Sequence, residues 1–97
     1  MYLKIHRMAN GAEVVAVCDR DLLNTTLSAG DLEVTIWDTF YGTRLASDDE
    51  VEAALSGAQN VNLMGEKAVG IAIAMGLISE GECLMIGQVP HAQIFSM

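Results

Sequence analysis

The chain has 97 residues, a formal net charge of −8 and a hydrophobic content of 52%. That length predicts a single domain spanning residues 1–97, burying about two-thirds of the surface its unfolded chain exposes. Thirteen acidic residues against five Lys and Arg exclude a broad phosphate-neutralising surface, so nucleic acid is expected as a partner only inside a larger assembly.

The charge is local. Charges cancel over residues 1–30, residues 31–66 set Arg44 against eight acids, and from Cys83 onward only a protonated His91 would carry charge. The tail therefore reads as buried or covered by a partner rather than as a solvated end. Acidity of this kind also suits a salt-rich cytoplasm, so by itself it assigns no function. The longest uncharged apolar run, Ala68–Ile78, has 11 residues, whereas a membrane helix needs about 20. Tyr2–Arg7 alternates and lacks the apolar stretch of a signal peptide. Cys18 and Cys83 form no CxxC pair, so a reduced, cytoplasmic setting without membrane contact is expected.

In chain order, Tyr2–Ala9 and Ala12–Cys18 flank Asn10-Gly11 and predict a β-hairpin closed by a two-residue type I′ turn. That loop sets Ile5 opposite Ala16 and Leu3 opposite Cys18, which gives a core face of Leu3, Ile5, Val14, Ala16 and Cys18. Leu32–Trp37 alternates and predicts a third strand. Ser47-Asp48-Asp49-Glu50 is a capping box that starts a helix with Val51, Ala54 and Leu55 inward, stopped at Gly57. Val61–Met64 predicts a short strand, and a helix runs from near Gly65 to about Met75 with Gly76 as its left-handed cap and Leu77 beyond. The second helix is apolar nearly all round and is expected to be deeply buried. Leu84–Ile86 and Ala92–Phe95 predict closing strands. The fold class is α+β, an N-terminal β-hairpin in a mixed or antiparallel sheet with two helices.

The ordered set Tyr2–Arg7, Val17-Cys18-Asp19, Phe40-Tyr41-Gly42, Asn62–Lys67 and Val89-Pro90-His91-Ala92-Gln93 resembles a family of small, mostly archaeal proteins catalogued as a domain of unknown function. The resemblance spans essentially the whole chain, and Pro90-His91-Ala92-Gln93 is its most specific part. It implies a cytosolic archaeal domain and brings no activity, cofactor or catalytic residue with it.

The candidate ligand-binding residues are Asn62, Gly65, Glu66, Lys67, His91, Gln93 and Asp19. A strand entering a helix at glycine presents backbone N–H groups and a positive dipole end to an anion, and Lys67 adds a charge. Glu66 already satisfies that dipole, and the segment is neither a GxxxxGK loop nor a GxGxxG fingerprint. The plainer reading is a strand-to-helix junction. His91 follows a rigid turn, with Gln93 facing the same side in an extended chain; it is either a general base or a ligand, or a structural histidine tying the turn to the sheet. Asp19, just past a strand end, is either a site carboxylate or a turn cap.

Trp37, Phe40 and Tyr41 are candidate interface residues, with a small core as the alternative. Cys18, Cys83, His6 and His91 lack zinc-ligand spacing, and the predicted hairpin sets His6 and Cys18 on opposite faces; no metal and no cofactor is implied. The surplus of apolar residues points to a small cytosolic binding or assembly module acting through protein–protein contacts, with a protein partner or as a homo-oligomer. The alternative is a small anionic-ligand binder or enzyme using Asn62–Lys67 with His91. No reaction can be named from these residues.

Overall fold

Tyr2–Arg7 (β1) and Glu13–Cys18 (β2) pair antiparallel in the computed structural model, which describes residues 1–95. The hairpin is present, but its register differs by one residue from expectation: Leu3 faces Val17 and Ile5 faces Val15. The cause is the loop. Gly11 N–H donates to Met8 O at 3.0 Å and Met8 N–H to Ala12 O at 2.7 Å, leaving the three residues Ala9–Gly11 outside the ladder. Gly11 takes φ +87° while Asn10 keeps a negative φ, which excludes a type I′ turn and matches a type I turn closed by a glycine bulge. Because side chains alternate with period two, the slip separates the expected core face. Leu3, Val15 and Val17 face one layer, whereas Tyr2, Ala16 and Cys18 face the other. His6 and Cys18 therefore share a face, contrary to expectation.

Asn60–Met64 (β5) lies parallel to β2, Val89–Phe95 (β7) antiparallel to β5, and Leu84–Ile86 (β6) at the far edge. The mixed sheet has five strands in the order β1-β2-β5-β7-β6. The strand β2 is buried on two faces, which explains its continuous apolar run Val14–Cys18, while β5 buries Val61, Leu63 and Met64 and keeps Asn60 and Asn62 partly exposed.

One face is covered by Asp48–Leu55 (α2) and Glu66–Ala74 (α3), whose Val51, Leu55, Ala68, Val69 and Ala72 meet Val15, Val17, Val61 and Leu63. The Ser47 capping box is formed as expected: Ser47 Oγ accepts Glu50 N–H at 3.2 Å and Glu50 Oε1 accepts Ser47 N–H at 3.2 Å. The helix α3 ends in a Schellman motif, with Leu77 N–H on Ala72 O at 3.0 Å and Gly76 N–H on Ile73 O at 2.9 Å. Its Ala68 and Ala72 are fully buried, and Ile71 and Ile73 are half-buried at the rim.

The other face carries elements that the sequence reading missed. Thr26–Ala29 (β3) and Leu32–Thr35 (β4) form a separate two-stranded sheet around Gly30-Asp31, and Asp38–Tyr41 (α1) follows. The expected strand Leu32–Trp37 is thus shorter and lies outside the main sheet. Ile36 still enters the core and joins Ala16, Cys18, Tyr41, Met64 and Ile86. Three layers result, with the main sheet in the middle.

Candidate functional site at the junction of β5 and α3

The strand β5 ends at Gly65, whose φ of +112° and ψ of 160° suit glycine alone. Space demands glycine as well, since a Cβ there would stand 2.3 Å from Asp19 Cγ. Asp19 follows β2 and is 8% exposed. Its N–H extends the β2–β5 ladder to Met64 O at 2.9 Å. Its carboxylate then turns onto the first turn of α3: Oδ2 accepts Lys67 N–H at 3.0 Å and Oδ1 accepts Ala68 N–H at 2.9 Å. A charged acceptor on two otherwise unpaired helix donors is a strong cap, reinforced by the helix dipole. The anion at this helix start is therefore the chain's own carboxylate.

The two segments singled out in the sequence do meet. Asn62 pairs with Gln93 and Met64 with His91 across β5 and β7. Gly65 N–H donates to Pro90 O at 2.9 Å, fixing the first residues of β7 against the helix start, so that Pro90 lies in the strand rather than in the expected turn. His91 Nδ1 lies 2.8 Å from Leu63 O. A carbonyl only accepts, so Nδ1 carries the proton and Nε2 of the neutral ring is left as an acceptor. Asn62 Oδ1 accepts the Tyr41 hydroxyl at 2.6 Å. Gln93 is exposed, and Glu66 and Lys67 are exposed on the first turn of α3.

Two further groups line this region from β2 and α1. Burial is the main cause that pushes the Cys18 thiol from 9.0 up to about 12, with the neighbouring Asp19 charge adding to it. It is therefore a protonated, inert thiol at neutral pH. The Tyr41 phenol is also raised, by burial first and then by Cys18. His6 Nε2–H donates to Phe40 O at 2.6 Å, and its ring stacks on Phe40 with centroids 4.9 Å apart.

Among the described residues, every buried side-chain N or O atom has a hydrogen-bond partner, and no group of three or more His, Cys, Asp or Glu residues converges. Asp19 is committed to α3, and Asn62 to Tyr41. Among the described residues the junction offers one imidazole acceptor and no activated nucleophile beside it.

The aromatic trio separates. Trp37 is 59% exposed, Phe40 is half-buried, and Tyr41 is buried in the core. Sequence reasoning missed a groove of about 710 Å³ at the opposite end of the sheet. It runs between the hairpin tip at Met8–Glu13 and the α2–β5 connection at Ser56–Asn60, and it is flanked by Ile5 and Phe95. Ile5, Met8 and Phe95 are 47%, 50% and 73% exposed. Ile5 shares its face with Leu3 and stands opposite Val15, yet it lies on an edge strand near the hairpin tip and stays exposed.

No curated protein matches the chain. A solved structure does: the crystal structure of an uncharacterized conserved protein from Methanopyrus kandleri superposes with a TM-score of 0.79 at 28% identity, covering 96% of this chain and 88% of that one. A family model for a protein of unknown function, DUF424, matches residues 6–97. With that match across nearly its whole length, the chain belongs to the DUF424 family.

Proposed function

We propose that this protein is a small cytoplasmic binding or assembly module acting through protein–protein contacts. The observation that carries this reading is the apolar surface left outside the core, above all Ile5, Met8 and Phe95 around the groove at the hairpin tip. Large exposed apolar side chains grouped at a concave site are costly to leave in water, and a covering partner offsets that cost. Among the described residues, no helix is long and apolar enough to cross a membrane. The test is sedimentation at micromolar concentration combined with capture from native lysate, using the parent chain and Phe95→Glu. Self-association, or a retained protein lost with Phe95→Glu, supports the reading. A monomer that retains nothing refutes it.

Anionic-ligand binding or catalysis at the junction is the second reading. Its support is the convergence of Asn62, Gly65, His91 and Gln93 on adjacent strands. Against it stands the Asp19 carboxylate, which occupies the helix donors an anion would use. Thermal shift with phosphate, nucleotides and carboxylates discriminates, since a ligand at 100 times its Kd adds about 2.7 kcal/mol.

A further inference from the structure

The strand β1 is an edge of the main sheet, and the segment before α2 covers only its first half. Leu3 N–H donates to Arg44 O at 3.3 Å and Ala46 N–H to Met1 O at 2.8 Å, so the odd-numbered residues of β1 direct their backbone groups outward. Met8 N–H bonds Ala12 O across the hairpin, which gives the even-numbered residues the inward direction. Ile5 and Arg7 therefore present N–H and C=O groups away from β2, and among the described residues these have no hydrogen-bond partner. An edge of this kind is a template for strand pairing unless something blunts it.

Charge indicates what pairs with it. Lys4, Arg7 and Arg44, three of the five Lys and Arg residues, lie along this edge. They are matched there by Glu13 and Glu50 in ion pairs at 2.7 and 3.1 Å, and by Asp38 beside Lys4 and Arg44. The edge is thus formally neutral, and the net charge of −8 falls on the rest of the molecule. A second copy is repelled elsewhere and meets balanced charge here, whereas a basic partner is drawn to the other surfaces.

We propose that β1 pairs antiparallel with β1 of a second copy about a two-fold axis at His6, so that Ile5 stands opposite Arg7 of the second copy and Arg7 opposite Ile5. This rests on the protein-contact reading above and names its partner and surface. Among two-fold registers, this one uses the free groups of both Ile5 and Arg7. Centring on Ile5 would instead demand Leu3, whose N–H is already taken. It also sets Lys4 opposite Met8 of the second copy, so no two Lys, Arg, Asp or Glu side chains of like sign face each other across the pair. Met8 is half exposed. It would approach the shallow depression of about 430 Å³ formed by Lys4, Thr43 and Arg44. The dimer has the isologous form that dominates homo-oligomers.

Sedimentation equilibrium over micromolar concentrations, with hydrogen exchange of backbone amides, tests this. The parent chain is expected to dimerise, with the Ile5 and Arg7 amides protected only at dimer concentrations. Arg7→Pro removes an outward N–H from an edge strand, a position where proline is tolerated. It should raise the dimer dissociation constant by about tenfold or more, with far-UV circular dichroism unchanged. Ile5→Lys and Ile5→Glu provide the second arm without touching the backbone. Lysine opposite the arginine of the second copy weakens the dimer, and glutamate there strengthens it; loss in both variants would overturn the register. A dimer indifferent to Arg7→Pro, with both amides unprotected, overturns the edge while leaving the protein-contact reading intact. A strict monomer overturns the dimer, and capture of a different protein then decides the broader reading separately.

Discussion

Asp19→Ala isolates the tertiary cap at the start of α3. The substitution removes a nearly buried carboxylate that accepts from Lys67 N–H and Ala68 N–H at 3.0 and 2.9 Å. Hydrogen bonds to charged groups are worth about 1.5–3 kcal/mol each, and losing an N-cap costs about 0.5–2 kcal/mol. The two bonds share one carboxylate and are not additive, so the expected loss is about 2–4 kcal/mol. A domain of this length has roughly 5–15 kcal/mol in total, and its melting temperature falls about 4–8 °C per kcal/mol lost. Urea denaturation followed by circular dichroism should show a lower midpoint with an unchanged slope, because the surface exposed on unfolding is the same. Asp19→Asn should lose nearly as much, since its amide NH₂ would face a backbone donor. A loss below about 0.5 kcal/mol in both variants would refute the assignment of Asp19 as the cap of α3.

Gly65→Ala should destabilise by about 3 kcal/mol or more from its positive φ and from the Cβ placed 2.3 Å from Asp19 Cγ. Combined with Asp19→Ala it should cost clearly less than the two single losses added together, which a double-mutant cycle in urea measures. Cys18 should resist Ellman's reagent until the chain unfolds, while half-buried Cys83 reacts in the native state. The same thiol sets a pH dependence. Between its ordinary value of 9.0 and its folded value of about 12 the unfolded chain binds fewer protons, so stability is level below pH 9 and falls as pH rises through that window. Cys18→Ala should flatten the alkaline fall in urea titrations. Tyr41→Phe removes the donor 2.6 Å from Asn62 Oδ1 and should cost about 1 kcal/mol in the same assay, with α1 retained by circular dichroism.

Local signals carried the parts of the fold whose stabilising contacts lie within a few residues. The Ser47 capping box and the Gly76-Leu77 termination of α3 are closed by bonds spanning three to five residues, so the sequence alone determines them. The α+β class was legible for the same reason, because strand alternation and helix caps are local patterns. The hairpin was legible and its register was not. Asn10-Gly11 fits a two-residue turn and also a three-residue loop with Gly11 as the bulge, and a single residue of difference turns the faces of one strand over relative to the other. The strand β3 escaped notice because its four residues alternate polar and apolar too briefly to stand out.

The opening features, high acidity and high apolar content, acquire a place only in three dimensions. That Asn62 lies beside Gln93 and Met64 beside His91 follows from strand order, which no local propensity encodes. Asp19 becomes a helix cap across a separation of 48 residues, through contacts that exist only once β2 and β5 align in parallel. The sequence determined which side chains are apolar, charged or able to cap. The tertiary structure decided which of them meet, because the energy of burial and of long-range hydrogen bonds is realised only when distant segments pack together.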